Sequence, residues 1–295
     1  MSITDILFDK VKSGSDGLFS LSVYENGEIW TLEKPMAHRC NNTFSVSKVF
    51  TLTAVGMLCD EGKLSIDDHV TDILEEDVPD IADPAWSRVT LDHVLSHRIG
   101  YDENDVFLDE DAQKNHEICE EHFGTFTDYL RIVFSHPLRH EPGSCRCYTD
   151  EAYYLLSRIV TKVSGERLDD FLRTRLFVPL RFAEMAWECC PQGYPLGGTG
   201  LVIRSSDIAK LAQTYLFKGV YGGIRIFSED WYNTVVEREY EMSRLGLFGY
   251  GKRGHYGQYI YFNTKLGVAV GWEGHENSRY HDDLCDCLVA LESES

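Results

Sequence analysis

Strand-like sequence sits near both ends of this chain and scarcely between them, which limits the folds open to it more than any other feature. Leu18-Phe-Ser-Leu-Ser-Val-Tyr24 and Glu28-Ile-Trp-Thr-Leu32 alternate around Glu25-Asn26-Gly27. Asn-Gly is a strong signal for a two-residue hairpin. Strand character returns late, in Leu201-Val-Ile203, Tyr259-Ile-Tyr-Phe262 and Leu266-Gly-Val-Ala-Val-Gly271. Residues 45–59, 91–96, 123–134, 151–163 and 168–176 instead carry apolar side chains at three-to-four spacing, as helices do. Further helices are expected at 3–12, 206–216 and 282–291. The pattern predicts an α/β chain of the α+β kind, with an antiparallel sheet drawn from both termini, flanked by N- and C-terminal helices, and an all-helical lobe inserted between its strands. We expect one domain over 1–295, with a sheet lobe from 1–58 plus 197–295 and a helical lobe from 59–196.

At 295 residues a single core is near its upper size. The longest charge-free apolar run, Val49–Cys59, has 11 residues, against about 20 for a membrane-spanning helix, so no membrane association is expected. A formal charge of −20, from 48 acidic and 28 basic residues, repels phosphate backbones and argues against nucleic acid as a partner. Acid gathers at 74–80 and 102–111, which read as solvated loops. The amino terminus lacks the basic and apolar regions of a secretory signal, so a cytoplasmic location is expected. In that compartment the nine cysteines are thiols. Cys145-Arg-Cys147, Cys189-Cys190 and Cys285-Asp-Cys287 lack the Cys-x-x-Cys spacing of common zinc clips, and no metal or cofactor is expected. A thiol or metal protein built on those pairs is the competing reading.

Phe44-Ser45-Val46-Ser47-Lys48 opens the strongly apolar helix. Ser45 suits an N-cap, yet a capping box wants Glu or Gln three residues on, and a cation in the first turn opposes the helix dipole. Lys48 therefore needs another purpose. One turn from Ser45, its amine can take the hydroxyl proton or stabilise the alkoxide. Alone, Ser-x-x-Lys is a weak motif.

Its company is more specific. Glu141-Pro-Gly-Ser-Cys-Arg-Cys-Tyr148-Thr149-Asp150 puts a tyrosine and a short polar residue on a turn before a helix, and Gly254-His255-Tyr256-Gly257-Gln258 puts a basic residue at the start of a strand. With these, the sequence resembles the serine β-lactamase and penicillin-binding-protein family, in particular its class C and esterase branch. That family carries Ser-x-x-Lys, then Tyr-x-Asn after a Pro-Gly turn, then Lys-Thr-Gly or His-x-Gly on an edge strand. Leu91-Asp-His-Val-Leu-Ser-His97-Arg-Ile-Gly100 and Gly197-Gly-Thr-Gly-Leu-Val-Ile-Arg-Ser-Ser-Asp-Ile-Ala209 look like two more of its segments, in order from about residue 18 onward.

The resemblance implies a β-lactamase-like fold and a serine hydrolase acting through an acyl-enzyme on an ester, amide or β-lactam. Ser45 would be the nucleophile, Lys48 its proton partner and Tyr148 the second general base. The N–H groups of Ser45 and Gln258 would form the oxyanion hole, while Asp150, His255 and Gly257 would face the substrate. A D-amino-acid-specific peptidase and a catalytically impaired penicillin-binding sensor are the alternatives. The sequence departs from the family at Asp150, which replaces an amide with an anion and would hold Lys48 protonated, and at Arg146, where an aromatic residue is usual.

Other motifs read as structural. Tyr24-Glu25-Asn26 matches Tyr-x-Asn but precedes Ser45 and holds the hairpin turn. His116 and His122 are six apart, not the four of a zinc-protease helix. His97 reads as a structural histidine, and Trp272 and Glu273 either rim the pocket or close the sheet edge.

Overall fold

The computed structural model describes residues 1–13, 17–34, 39–103, 128–275 and 279–295. The chain begins with helix α1 (Ile3–Lys12), the hairpin β1 (Leu18–Glu25) and β2 (Glu28–Glu33), and a short β3 (Asn41–Asn42). Helices α2 (Ser47–Asp60), α3 (Val70–Leu74), α4 (Leu91–Leu95), α5 (Tyr129–Ser135), α6 (Asp150–Ser164) and α7 (Leu168–Leu172) follow. After β4 (Ala186–Trp187) and β5 (Leu201–Ile203) come α8 (Ser205–Leu216), the small hairpin β6 (Val220–Tyr221) and β7 (Ile224–Arg225), and α9 (Glu229–Arg238). Strands β8 (Ser243–Leu245), β9 (Gly249–Arg253), β10 (Tyr259–Asn263) and β11 (Val268–Gly274) lead to α10 (Arg279–Glu294). Two compact units result: Met1–Val46 with Leu176–Ala186 and Val202–Ser295, and Ser47–Arg175 with Trp187–Leu201.

The first unit is built on a six-stranded antiparallel sheet in the order β2-β1-β11-β10-β9-β8. Asn26 and Gly27, at φ +52 and +94, make the turn that pairs Glu25 with Glu28. Alternation then sorts the side chains. Val270 and Trp272 of β11 join Leu21, Val23, Tyr259 and Tyr261 under α1 and α10, which contribute Leu7, Val11, Leu284 and Leu288. Gly271 faces the other way, where a β-carbon would meet the Ser205 carbonyl at 2.5 Å, so a glycine is what lets α8 pack against the sheet. Glu25 accepts hydrogen bonds from the backbone N–H groups of Ile3 and Thr4, at 2.9 and 3.0 Å, capping α1. The Tyr24-Glu25-Asn26 motif is thus structural.

The second unit is helical. Every residue of α2 from Ser47 to Leu58 is buried, which explains a helix apolar on all sides. Helix α6 begins at the Thr149 cap, whose hydroxyl accepts from the Ala152 N–H at 3.2 Å, and stops at Gly165 in the left-handed conformation.

Several elements differ from expectation. The helix foreseen at 123–134 occupies Tyr129–Ser135, residues 123–127 lying outside the described ones. The helix foreseen at 168–176 ends at Leu172 and passes into a wider turn over Arg173–Phe177. Strand β9 and helix α9 were not foreseen. In β9, Gly249 and Gly251 interrupt the apolar alternation because the hydroxyls of Tyr261 and Tyr259 occupy the space their β-carbons would need. His116, His122 and most of the 102–111 acidic run lie outside the described residues.

Candidate active site

Helix α2 carries Lys48 in its first turn with no exposed surface. A buried ammonium requires oxygen partners. Its Nζ pairs with the Asp150 carboxylate and donates to the Gly198 carbonyl at 2.9 Å. Asp150 opens α6, where the helix dipole favours an anion. Gly197 and Gly198 are glycines for a steric reason. A β-carbon at 197 would collide with the Tyr153 carbonyl, and one at 198 would lie 2.8 Å from Asp150 Oδ1 and 3.3 Å from Lys48 Nζ.

Tyr148 stands beside this pair. Lys48 Nζ is 4.8 Å from the centre of its ring, and the Arg146 guanidinium is 5.6 Å from it, so two cations face one aromatic side chain. No ion pair joins Arg146 to Asp150 among the described residues. Tyr148 is 40% exposed, and its ring can therefore meet a ligand from solvent. His97 fixes the segment from behind: its Nδ1 accepts from the Thr149 N–H at 3.3 Å, its carbonyl accepts from the Cys147 N–H at 2.8 Å, and its ring lies 4.5 Å from that of Tyr148. His97 takes this post with φ +58, a conformation that costs a non-glycine residue energy.

In the sheet unit, Ser45 is 3% exposed in the 3₁₀ turn Phe44–Val46. The Asn42 side chain accepts from the Phe44 N–H at 2.8 Å and starts that turn. A second 3₁₀ turn, His255–Gly257, lies beside it. A β-carbon at Gly254 would meet the Thr43 carbonyl at 2.6 Å, so glycine permits the approach. His255 was expected at the start of a strand. It lies in this turn instead, and β10 begins at Tyr259. The Gln258 N–H makes a long 3.4 Å bond to the His255 carbonyl. The Gln258 side chain is clamped, donating to the Gly274 carbonyl at 2.6 Å and accepting from the Gly274 N–H at 3.0 Å. Trp272 lies in the core and donates from its indole to the Gly257 carbonyl at 2.9 Å. Glu273 is also interior: its Oε2 accepts from Ser20 Oγ at 3.1 Å and Asn41 Nδ2 at 3.3 Å, and burial pushes its carboxyl up to about 8. Neither residue rims an opening.

Each unit thus gathers part of the expected set, Lys48, Tyr148 and Asp150 in one and Ser45, His255, Gly257 and Gln258 in the other. The Gly198 carbonyl was not singled out as a contributor. Among the described residues no three His, Cys, Asp or Glu side chains cluster as metal ligands, and no helix is long and apolar enough to cross a membrane.

Comparison with known proteins decides the family. The model of the Beta-lactamase family matches residues 19–230, well over half of the chain. The chain belongs to the Beta-lactamase family. Penicillin-binding protein 4 of Amycolatopsis lactamdurans is 32% identical over 172 residues, 55% of this chain and 42% of that protein. The 6-aminohexanoate-dimer hydrolase of Paenarthrobacter ureafaciens is 29% identical over 203 residues, 65% of this chain and 49% of that one. These matches span about half the length of the curated relatives or less. The solved structure of EstCE1, a hydrolase with promiscuous acyltransferase activity, superposes with a TM-score of 0.72 at 20% identity, covering 98% of this chain and all of that one. The fold expected for this Beta-lactamase family chain is therefore the fold it has.

Proposed function

We propose that this Beta-lactamase family chain is a serine hydrolase that cleaves an ester or amide bond, a β-lactam among them, through an acyl-enzyme on Ser45. The observation that carries the reading is Lys48. A lysine sealed from water, three residues after a serine in a 3₁₀ turn, with an exposed tyrosine ring 4.8 Å from its ammonium, has little to offer stability and much to offer proton transfer. In the proposed reaction Ser45 Oγ attacks the carbonyl carbon and gives its proton to Lys48 or Tyr148. The oxyanion is held by the N–H groups of Ser45 and Gln258, and Tyr148 returns a proton to the leaving group. Water repeats the sequence on the acyl-enzyme. His255, Gly257 and Asp150 line the substrate's path, and no metal or organic cofactor enters.

The Lys48–Asp150 pair also favours a second reading, a slow enzyme or a penicillin-binding sensor, because a carboxylate partner stabilises the ammonium form of the lysine. Intact-mass analysis after exposure to a fluorophosphonate, penicillin and short-chain esters separates the two. A hydrolase shows a phosphonyl adduct that Ser45→Ala abolishes, together with ester turnover. A sensor shows a lasting penicilloyl adduct without turnover. Labelling that survives in Ser45→Ala, or falls on Ser47, overturns both.

A further inference from the structure

An unbroken row of aromatic rings begins at the residue before Ser45. Phe44 lies 5.8 Å from His255 and 5.2 Å from Tyr256, His255 and Tyr256 are 4.1 Å apart, Tyr256 stacks on His275 at 5.5 Å, and His275 stacks on Phe19 at 6.1 Å. The row is open to solvent: Tyr256 is 37% exposed, and His255 and His275 are exposed as well.

Two features show that the row is held in place and is no casual surface patch. Phe44 and Tyr256 both adopt left-handed backbone, at φ +47 and +55, where bulky side chains are rare, and their rings meet edge to face. The turn carrying Tyr256 is pinned by three hydrogen-bonded clamps. Tyr280 Oη donates to the Tyr256 carbonyl at 2.9 Å, Trp272 Nε1 donates to the Gly257 carbonyl, and the Gln258 amide spans Gly274. Strain that a fold maintains with dedicated contacts is commonly found where a surface meets a ligand.

Resting on the hydrolase reading, we propose that the row is a specificity surface of this enzyme and selects substrates that carry a flat aromatic ring on a group attached to the scissile carbonyl, such as arylacetyl esters and amides. Phe44 is peptide-bonded to the proposed nucleophile, and the proposed oxyanion N–H groups belong to Ser45 and to Gln258, the residue after the turn that carries His255 and Tyr256. A group attached to the scissile carbonyl, on either side of the bond that breaks, is therefore within reach of these rings. Another ring can extend the row by offset stacking or an edge contact, whereas an alkyl chain of equal area gains only burial.

The test uses two fluorophosphonates of equal charge and leaving group, one bearing a 2-phenylethyl chain and the other a hexyl chain. The rate of Ser45 labelling is followed by intact mass. The aryl probe should label about tenfold faster, and Tyr256→Asn should erase most of that ratio. Asparagine tolerates left-handed backbone, so it removes the ring while keeping the turn. Phe19→Leu, at the far end of the row, should lower the ratio less. A second measurement does not depend on chemistry: saturation-transfer NMR of phenylacetamide on Ser45→Ala protein should show transfer to the ring protons, lost when Tyr256→Asn is added. Equal labelling by both probes, or transfer unchanged by Tyr256→Asn, overturns the specificity surface. Transfer that depends on Tyr256 without labelling by either probe upholds the surface and overturns the hydrolase.

Discussion

The α-carbon of Gly198 lies so close to Asp150 that a methyl group there would sit 2.8 Å from the carboxylate oxygen. The same residue's carbonyl accepts from Lys48, so one glycine both crowds the carboxylate and holds the ammonium. Its φ is not in the left-handed region, and alanine is therefore tolerated by the backbone but not by the space. Gly198→Ala should leave the protein folded and, if Lys48 is the proton-transfer group proposed above, lower kcat toward a short ester by about tenfold or more, since displacing such a group by a fraction of an ångström is costly. Thermal unfolding and steady-state kinetics on the same preparation check this. Unchanged kcat would mean that the position of Lys48 does not limit the reaction.

Asp150 should restrain the enzyme at neutral pH. Its negative charge favours the ammonium of Lys48, so replacing it with an amide that can still accept a hydrogen bond should free the amine at lower pH. The expected outcome for Asp150→Asn is a rising limb of the kcat/KM–pH profile displaced to lower pH. Asp150→Ala, which removes the charged partner of a buried ammonium, should destabilise the fold by about 3 kcal/mol.

A separate pH dependence arises at Glu273, where burial raises the carboxyl from 4.5 to about 8. The folded protein binds this proton more tightly than the unfolded chain, so between those two values ionisation favours unfolding. Stability contributed by the neutral acid is complete below about 4.5 and is lost as pH rises through about 8. Glu273→Gln keeps an acceptor for Ser20 and Asn41 and cannot ionise. The Tm of the wild-type protein should therefore fall between pH 5 and pH 8.5 by roughly 5–10 °C more than that of the variant. Parallel Tm–pH curves would show that Glu273 is already ionised across this range.

What could be read beforehand is what local sequence determines. Asn26-Gly27 announces its hairpin because few residues accept φ +52 and +94 in succession. The apolar run after Lys48 announces a buried helix. Asp150 was legible as a departure from a motif, and its partnership with Lys48 follows from that motif. Long-range geometry was not legible. Ser20, Asn41 and Glu273 meet across more than 230 positions of chain, and nothing local to Trp272-Glu273-Gly274 reveals that the carboxyl faces inward. The Gly198 carbonyl left no trace either, because any residue has a carbonyl and only the fold aims it. Strand β9 was hidden by its own glycines, which are small on account of tyrosines on the neighbouring strand.

Substrate charge should be read at His255, which lies in the turn beside Phe44. A lysine there would carry a full positive charge at neutral pH and attract the carboxylate of a β-lactam or of a peptide terminus, whereas an imidazole is a weaker anchor. The formal charge of −20 adds a general repulsion of anions, though salt screens its distant part within about 8–10 Å. Neutral short-chain esters should therefore be turned over with higher kcat/KM than penicillins at pH 7.5. His255→Lys should raise kcat/KM for the carboxylate-bearing substrate selectively, by up to about tenfold, because a partly screened contact at an exposed position is worth on the order of 1 kcal/mol. Raising the ionic strength should shrink that gain, which separates a charge effect from a change in turn geometry. A variant that alters both substrate classes equally, or a gain indifferent to salt, would assign His255 to holding the turn and leave the reading of substrate charge to another residue.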